Sequence, residues 1–254
     1  MSRMLWTTDE LKLAFYLYCL LPFGRLHQHN SEIIRLAVRL GRTPSSVAMK
    51  LVNFASLDPA ITGTGRKGLS AASKLDKAIW DQFHDDWQSL VDDCSVLLEP
   101  SEIEPSYAEP SIAEVAADYA GETREAGVRV RLRQSFFRRA VLASYGGTCC
   151  MSGLSEPRLL LASHIVPWSV DAANRLNPAN GLCLSALHDR ALDHGLISLS
   201  DEFTVVVCDH LRARADAFAS TSLVALEGTE IVMPERFTPA VELVQWHREN
   251  IFLG

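Results

Sequence analysis

The chain reads as an α+β protein: a helical N-terminal domain over residues 1–98, an acidic linker over 99–126, and a C-terminal domain over 127–254. The last is built on a strand–loop–strand–helix unit with additional strands and helices. Three observations predict this. In residues 1–98 apolar side chains recur at helical spacing between capping and stop residues. Residues 99–126 carry 8 acidic and 1 basic side chains together with Pro100, Pro105 and Pro110, the composition of a solvated spacer. Beyond that, short apolar runs bounded by Pro, Asn and Gly replace the helical pattern.

The first helix starts at Thr7 or Thr8, either of which can cap it, with Asp9 and Glu10 complementing its dipole. Ser31 caps a second helix that Gly41 ends, and Thr43 caps a third with Pro44 in its first turn. Val47, Leu51 and Phe54 then recur at helical intervals. Ser31–Leu57 is thus helix, Gly turn, helix, the pattern of a helix-turn-helix. Its second helix offers Ser45, Lys50 and Asn53, with Arg42 at its mouth, as DNA contacts; Arg66 and Lys67 follow in a Gly-rich loop. The same pattern also serves plain packing or dimerisation. Near Arg133 a further helix carries Arg133, Arg138 and Arg139 beside Phe136 and Phe137; its arginines can follow a phosphate backbone or lie on a solvated face laced with ion pairs.

Net charge is −7, but it is unevenly spread. Residues 1–98 carry 11 basic and 10 acidic side chains and residues 127–254 carry 12 and 13, so the acidity sits in the linker and local basic patches remain available for phosphate. The apolar stretch Leu11–Phe23 is interrupted by Lys12, too short to span a bilayer, and lacks a clean cleavage site for export; a soluble cytoplasmic protein is expected. The six cysteines are scattered with no Cys-x-x-Cys pair, so neither a disulfide framework nor a structural zinc site is expected.

The chemistry concentrates in about 35 residues. Arg158–Val166 reads as a strand carrying Ser163 and His164. A polar loop with Pro167 and Pro178 follows, then Asn180-Gly181 opens a second strand, Leu182–Leu184. A helix runs from near Ser185 to His194, where Gly195 stops it. A hairpin, Leu196–Leu199 with Phe203–Cys208, and a closing helix, Glu242–Phe252, complete the domain. Taken singly, His164 reads as a structural histidine, Asn180-Gly181 as a turn, and Asp189 with Asp193 as a solvated helix face.

Their combination is more specific. Ala162-Ser163-His164-Ile165-Val166-Pro167-Trp168, then Asn177-Pro178-Ala179-Asn180-Gly181-Leu182, then His188-Asp189-Arg190-Ala191-Leu192-Asp193, resembles the HNH endonuclease family, whose fold is the ββα-metal unit. More narrowly it is similar to the HNH domains of bacterial restriction endonucleases. Arg133 through Arg138, Tyr145, Cys149, Ser152-Gly153 and the closing Trp246-His247-Arg248 with Phe252 extend the resemblance over about residues 124–254.

The resemblance implies roles by position. His164 would be the general base that activates water for attack on a phosphodiester, and Asn180 would tie the loop and orient that base. Asp189 would be a metal ligand, with Asp193 one turn on, and His188 a ligand or its support. Ser163, Arg133, Arg138 and Arg190 would line the substrate. The residue chemistry agrees: Asp189 and Asp193 are i and i+4, so their carboxylates share a face and repel unless a cation lies between them. Hard oxygen ligands favour Mg²⁺, or Mn²⁺, over zinc. Many relatives have Asp or His, a metal ligand, where this chain has Ser163. The expected partner is DNA, double-stranded, with a homodimer able to cut both strands and bacterial defence as the setting. Two other readings stay open: a DNA-binding protein with a degenerate nuclease site, and an interaction protein that uses the fold as a scaffold.

Overall fold

A computed structural model describes residues 5–63, 72–98, 124–214 and 216–254. Arg66, Lys67 and residues 99–123 of the acidic linker lie outside the described residues. The chain divides into two compact units, Met1–Ala143 and Ser144–Gly254.

The first unit is helical: α1 (Thr8–Leu20), α2 (Ser31–Arg39), α3 (Pro44–Ala55), α4 (Pro59–Thr62), α5 (Lys74–Asp85), α6 (Trp87–Leu97) and α7 (Arg124–Ser144). Thr7 caps α1 in a reciprocal box, its amide donating to Glu10 Oε2 at 2.8 Å and its hydroxyl accepting from the Glu10 amide at 3.3 Å. Asn30, not Ser31, caps α2: its Oδ1 accepts from the amides of Glu32 (2.8 Å) and Ile33 (3.4 Å), while Ser31 is already the first helical residue. Gly41, at φ +61°, turns the chain between α2 and α3, a conformation that costs other residues strain. Thr43 caps α3 with Pro44 behind it. The core gathers around Phe15, fully buried, whose ring meets Phe54 edge-on at 5.1 Å and Trp80 at 5.6 Å.

The helix pair α2–α3 is present, but most of its candidate DNA contacts are built into the fold. Lys50 lies in a buried ion pair, its Nζ 2.7 and 2.9 Å from the Asp76 carboxylate oxygens. Asn53 is buried. Arg42 pairs with Glu10 through both Nε (2.9 Å) and Nη2 (2.8 Å), and its guanidinium lies 4.2 Å over the Trp6 ring. Ser45 alone of the four is exposed. The physical reason is economy of charge: a lysine on the inward face of a short helix needs an acid, and α5 supplies it. The arginines of α7 are engaged likewise. Arg133 grips Asp92 of α6 through Nε (3.0 Å) and Nη2 (2.7 Å), and Arg139 pairs with Glu32 of α2. Phe136 of α7 packs on Tyr16 at 5.2 Å and Trp87 at 6.2 Å. Sequence patterning had grouped this helix with the C-terminal domain; its contacts place it in the helical unit, because its apolar face matches that core.

The second unit holds two antiparallel two-stranded sheets, β1 (Leu160–His164) with β2 (Gly181–Ser185) and β3 (Ile197–Leu199) with β4 (Val205–Val207). Helix α8 (Ala186–Asp193) follows β2 directly; α9 (Asp209–Arg214), α10 (Ala217–Ser222) and α11 (Val241–Asn250) complete it. In the first sheet Leu160 pairs with Ser185 and His164 with Gly181. Ser185 caps α8, accepting from the His188 amide at 3.3 Å, and Gly195 ends it at φ +65°. Gly195 is required twice over, since a Cβ there would lie 2.1 Å from the Ile251 carbonyl oxygen. His247 of α11 joins β3 to the end of α8: the Ser198 hydroxyl lies 2.8 Å from its Nδ1, and its Nε2 donates to the Leu192 carbonyl at 3.1 Å. Among the described residues, no helix is long and apolar enough to cross a membrane.

Candidate active site

The site is assembled by β1, the loop after it, and α8. His164 ends β1 and its Nε2 donates to the Arg175 carbonyl at 3.0 Å. A carbonyl only accepts, so Nε2 carries the proton and the lone pair sits on Nδ1. Burial holds the imidazole down to about 4, despite the opposing pull of the Arg175 carbonyl, so it is neutral at pH 7. The Trp168 ring stands edge-on to the imidazole, centroids 5.7 Å apart.

Asn180 fastens the loop. It is fully buried, and its Oδ1 accepts from the Val166 amide at 2.8 Å. Its Nδ2 donates to the carbonyls of Val166 (3.0 Å) and Asn174 (3.2 Å). One side chain thereby clamps the start of the loop to its far side, one residue from the carbonyl that holds His164. Asp171 and Asn174 tie the loop's middle: Asn174 Nδ2 donates to Asp171 Oδ2 at 2.7 Å.

On α8, Asp189 and Asp193 follow at i and i+4. Burial, and then the charge of Asp193, push the Asp189 carboxyl up to about 6. The Ser163 hydroxyl and Arg190 oppose that rise. Ser163 is 2 % exposed, and its Oγ completes no hydrogen bond of ordinary geometry although it lies near enough to Asp189 to favour the charged form. Buried hydroxyls are rarely left so.

Among the described residues, no three His, Cys, Asp or Glu side chains gather to hold a metal ion. The donor set is instead two carboxylates, of which Asp193 raises the protonation of Asp189, and one orphaned hydroxyl, all hard oxygens. That set fits a cation that keeps several waters, as Mg²⁺ does.

His188 does not join the set. Its Nε2 donates to the Ser222 carbonyl at 3.1 Å and its Nδ1 faces the Cys149 sulfur at 3.4 Å, so both ring nitrogens are engaged and neither offers a lone pair to an ion. Burial raises the Cys149 thiol, but hydrogen bonds from His188 and Ser152 outweigh it and bring it down to about 6. The pair braces the first turn of α8, the turn that carries Asp189. Arg190 is exposed, its Nη2 2.8 Å from His194 Nε2 and its Nη1 3.9 Å from Asp193. Arg133 and Arg138 belong to α7 of the helical unit; Arg133 is held by Asp92 and Arg138 is half-buried.

Two residues were missed by sequence reasoning. Arg175 supplies the carbonyl that fixes His164, and Cys149 the sulfur that holds His188. A backbone carbonyl carries no sequence signal. Cys149 stands among the residues that carry the resemblance, which gives it no role of its own.

Residues 149–200 match the family model described as HNH endonuclease. The match spans β1, the loop, β2, α8 and β3, and so includes His164, Asn180, Asp189 and Asp193. No curated protein matches the chain.

Proposed function

Taking that HNH endonuclease match as premise, we propose that the chain is a divalent-metal-dependent endonuclease that hydrolyses phosphodiester bonds in double-stranded DNA. The observation that carries this reading is the His164 imidazole: neutral, with its proton assigned to Nε2 by the Arg175 carbonyl, so that Nδ1 is the nitrogen suited to take a proton. In the proposed reaction Nδ1 accepts one proton of a water whose oxygen bonds to phosphorus. The P–O bond to the departing sugar oxygen breaks, and that oxygen leaves with a proton from solvent. Asp189, Asp193 and the Ser163 hydroxyl would hold the ion, with Mg²⁺ the best fit to hard oxygen donors. When bound, the ion neutralises charge building on the phosphate and the leaving oxygen. Asn180 keeps the loop, and through it the base, in place. The approach of an anionic phosphate raises the pKa of His164 and so strengthens it as a base when substrate is present.

A role in bacterial restriction is part of the proposal and rests on the resemblance of the motif to restriction endonucleases. So does a homodimer, which would bring two such sites to the two strands. The test is cleavage of supercoiled plasmid with Mg²⁺ or Mn²⁺. His164→Ala should lower the rate by about two to four powers of ten. Wild-type protein that leaves the plasmid intact with either ion, or a His164→Ala variant that cuts as fast, sinks the reading.

A further inference from the structure

We propose that Arg175 is a phosphate-binding residue of the same site: its guanidinium, held at the loop, takes a backbone phosphate of the DNA next to the bond that is cut. The inference rests on the nuclease reading above and goes beyond it, since neither the motif nor the family match assigns this residue a role.

Most described arginines of known partnership answer to an acid: Arg42 to Glu10, Arg133 to Asp92, Arg139 to Glu32, Arg212 to Asp209 and Arg248 to Asp201. Arg175 does not. Among the described residues its guanidinium makes no ion pair. The acid that senses its charge, Asp171, has its oxygens occupied by the amides of Ala173 and Asn174 and by Asn174 Nδ2. Arg175 is nevertheless held. Its Nε donates to the Trp168 carbonyl at 2.7 Å, and its guanidinium lies 5.6 Å from the Trp168 ring centroid. The same Trp168 ring meets His164 edge-on, and the backbone of Arg175 binds His164 Nε2. An arginine with its fork set by one hydrogen bond and one ring, and with no acid in ion-pair contact among the described residues, is prepared to meet an anion. It sits one side chain away from the proposed base, so the anion it meets belongs to the same substrate.

The test separates binding from cleavage. Binding is measured by anisotropy of a short labelled duplex, over about 50 to 200 mM salt, in a His164→Ala background; cleavage is measured with His164 in place. Arg175→Met keeps the aliphatic stem and the backbone carbonyl but removes the charge. It should lower the slope of log K against log salt by about 0.9, as one lost phosphate contact does. It should raise KM by roughly tenfold while leaving kcat within a fewfold, the split expected of lost uniform binding. Arg175→Lys should restore the slope and only part of the affinity, because a lysine has no fork. An Arg175→Met protein with unchanged slope and KM overturns the inference, and so does a Lys variant that loses the slope as fully as Met. Wild-type protein that neither binds nor cuts the duplex overturns the nuclease reading itself, and this inference falls with it.

Discussion

Replacing Asn180 tests the idea that one side chain holds the loop between β1 and β2. Asn180→Ala leaves the Val166 amide, on a residue only 3 % exposed, without the acceptor now 2.8 Å away. It also removes the donor shared by the carbonyls of Val166 and Asn174. A buried group stripped of its partner costs about 1–3 kcal/mol, and a relaxing loop or an entering water recovers part of the sum. We expect a net loss of about 3 kcal/mol, which for a unit of this size lowers its Tm by roughly 10 °C or more. Asn180→Asp is the sharper control. It keeps the acceptor for Val166 but aims an anionic oxygen at two carbonyls, so its folded pKa rises above the unfolded value. The sign follows: the Asp variant is least stable at high pH and regains stability as pH falls and the carboxyl protonates. Calorimetry at several pH values, with hydrogen exchange of the Val166 amide, reads both effects. An Ala variant within about 2 °C of wild type, or an Asp variant whose stability tracks wild type across pH, would refute the account.

Other predictions follow from the acids and the helical unit. Asp189→Asn should raise the Tm of metal-free protein at pH 7.5, because burial and Asp193 oppose the charge it removes, while weakening Mg²⁺ binding in calorimetry; a lowered Tm would count against that electrostatic picture. Because Asp189 is raised to about 6, protons compete with the ion there: metal affinity should fall as pH drops through about 6, and the acid limb of activity should shift to lower pH as Mg²⁺ is increased. Protonation of His164, held near 4, would give a limb that Mg²⁺ does not move. Asp76→Ala strands the buried Lys50 charge and should cost about 3–5 kcal/mol, whereas Ser45→Ala on the exposed side of the same helix should change stability by less than about 0.5 kcal/mol; equal effects would undo the distinction between fold and surface on α3.

Local signals carried the order of elements. Thr7, Thr43, Ser185, Gly41 and Gly195 each mark a boundary for a reason written in one or two side chains, and the elements begin and end close to them. The slip at Asn30 is of the same kind, since two adjacent residues could both cap and only backbone geometry chose. What local patterning could not give was partnership. Lys50, Arg42 and Arg133 look alike as cations in sequence, and only the fold decides that Asp76, Glu10 and Asp92 reach them. For the same reason the sequence leaves His188 open between ligand and support, and only the fold shows Cys149 and Ser222 at its two nitrogens. The positions of His164 at a strand end, Asn180 in the turn just before the next strand and Asp189 on the helix were legible because the spacing that marks the motif also sets those elements. The carbonyl of Arg175 was not, because it has no letter of its own.

The hydroxyl at Ser163 has a consequence for the order of assembly. With an alcohol in place of a third charged donor, the cradle carries less negative charge, and the ion it holds must find more of its ligands elsewhere. Under the proposed reading, the substrate's own phosphate oxygens fill that role. Ion and DNA then bind cooperatively, each tightening the other by the same factor. On that reading the protein would rest nearly ion-free at low Mg²⁺ and take up its ion chiefly where DNA is already bound.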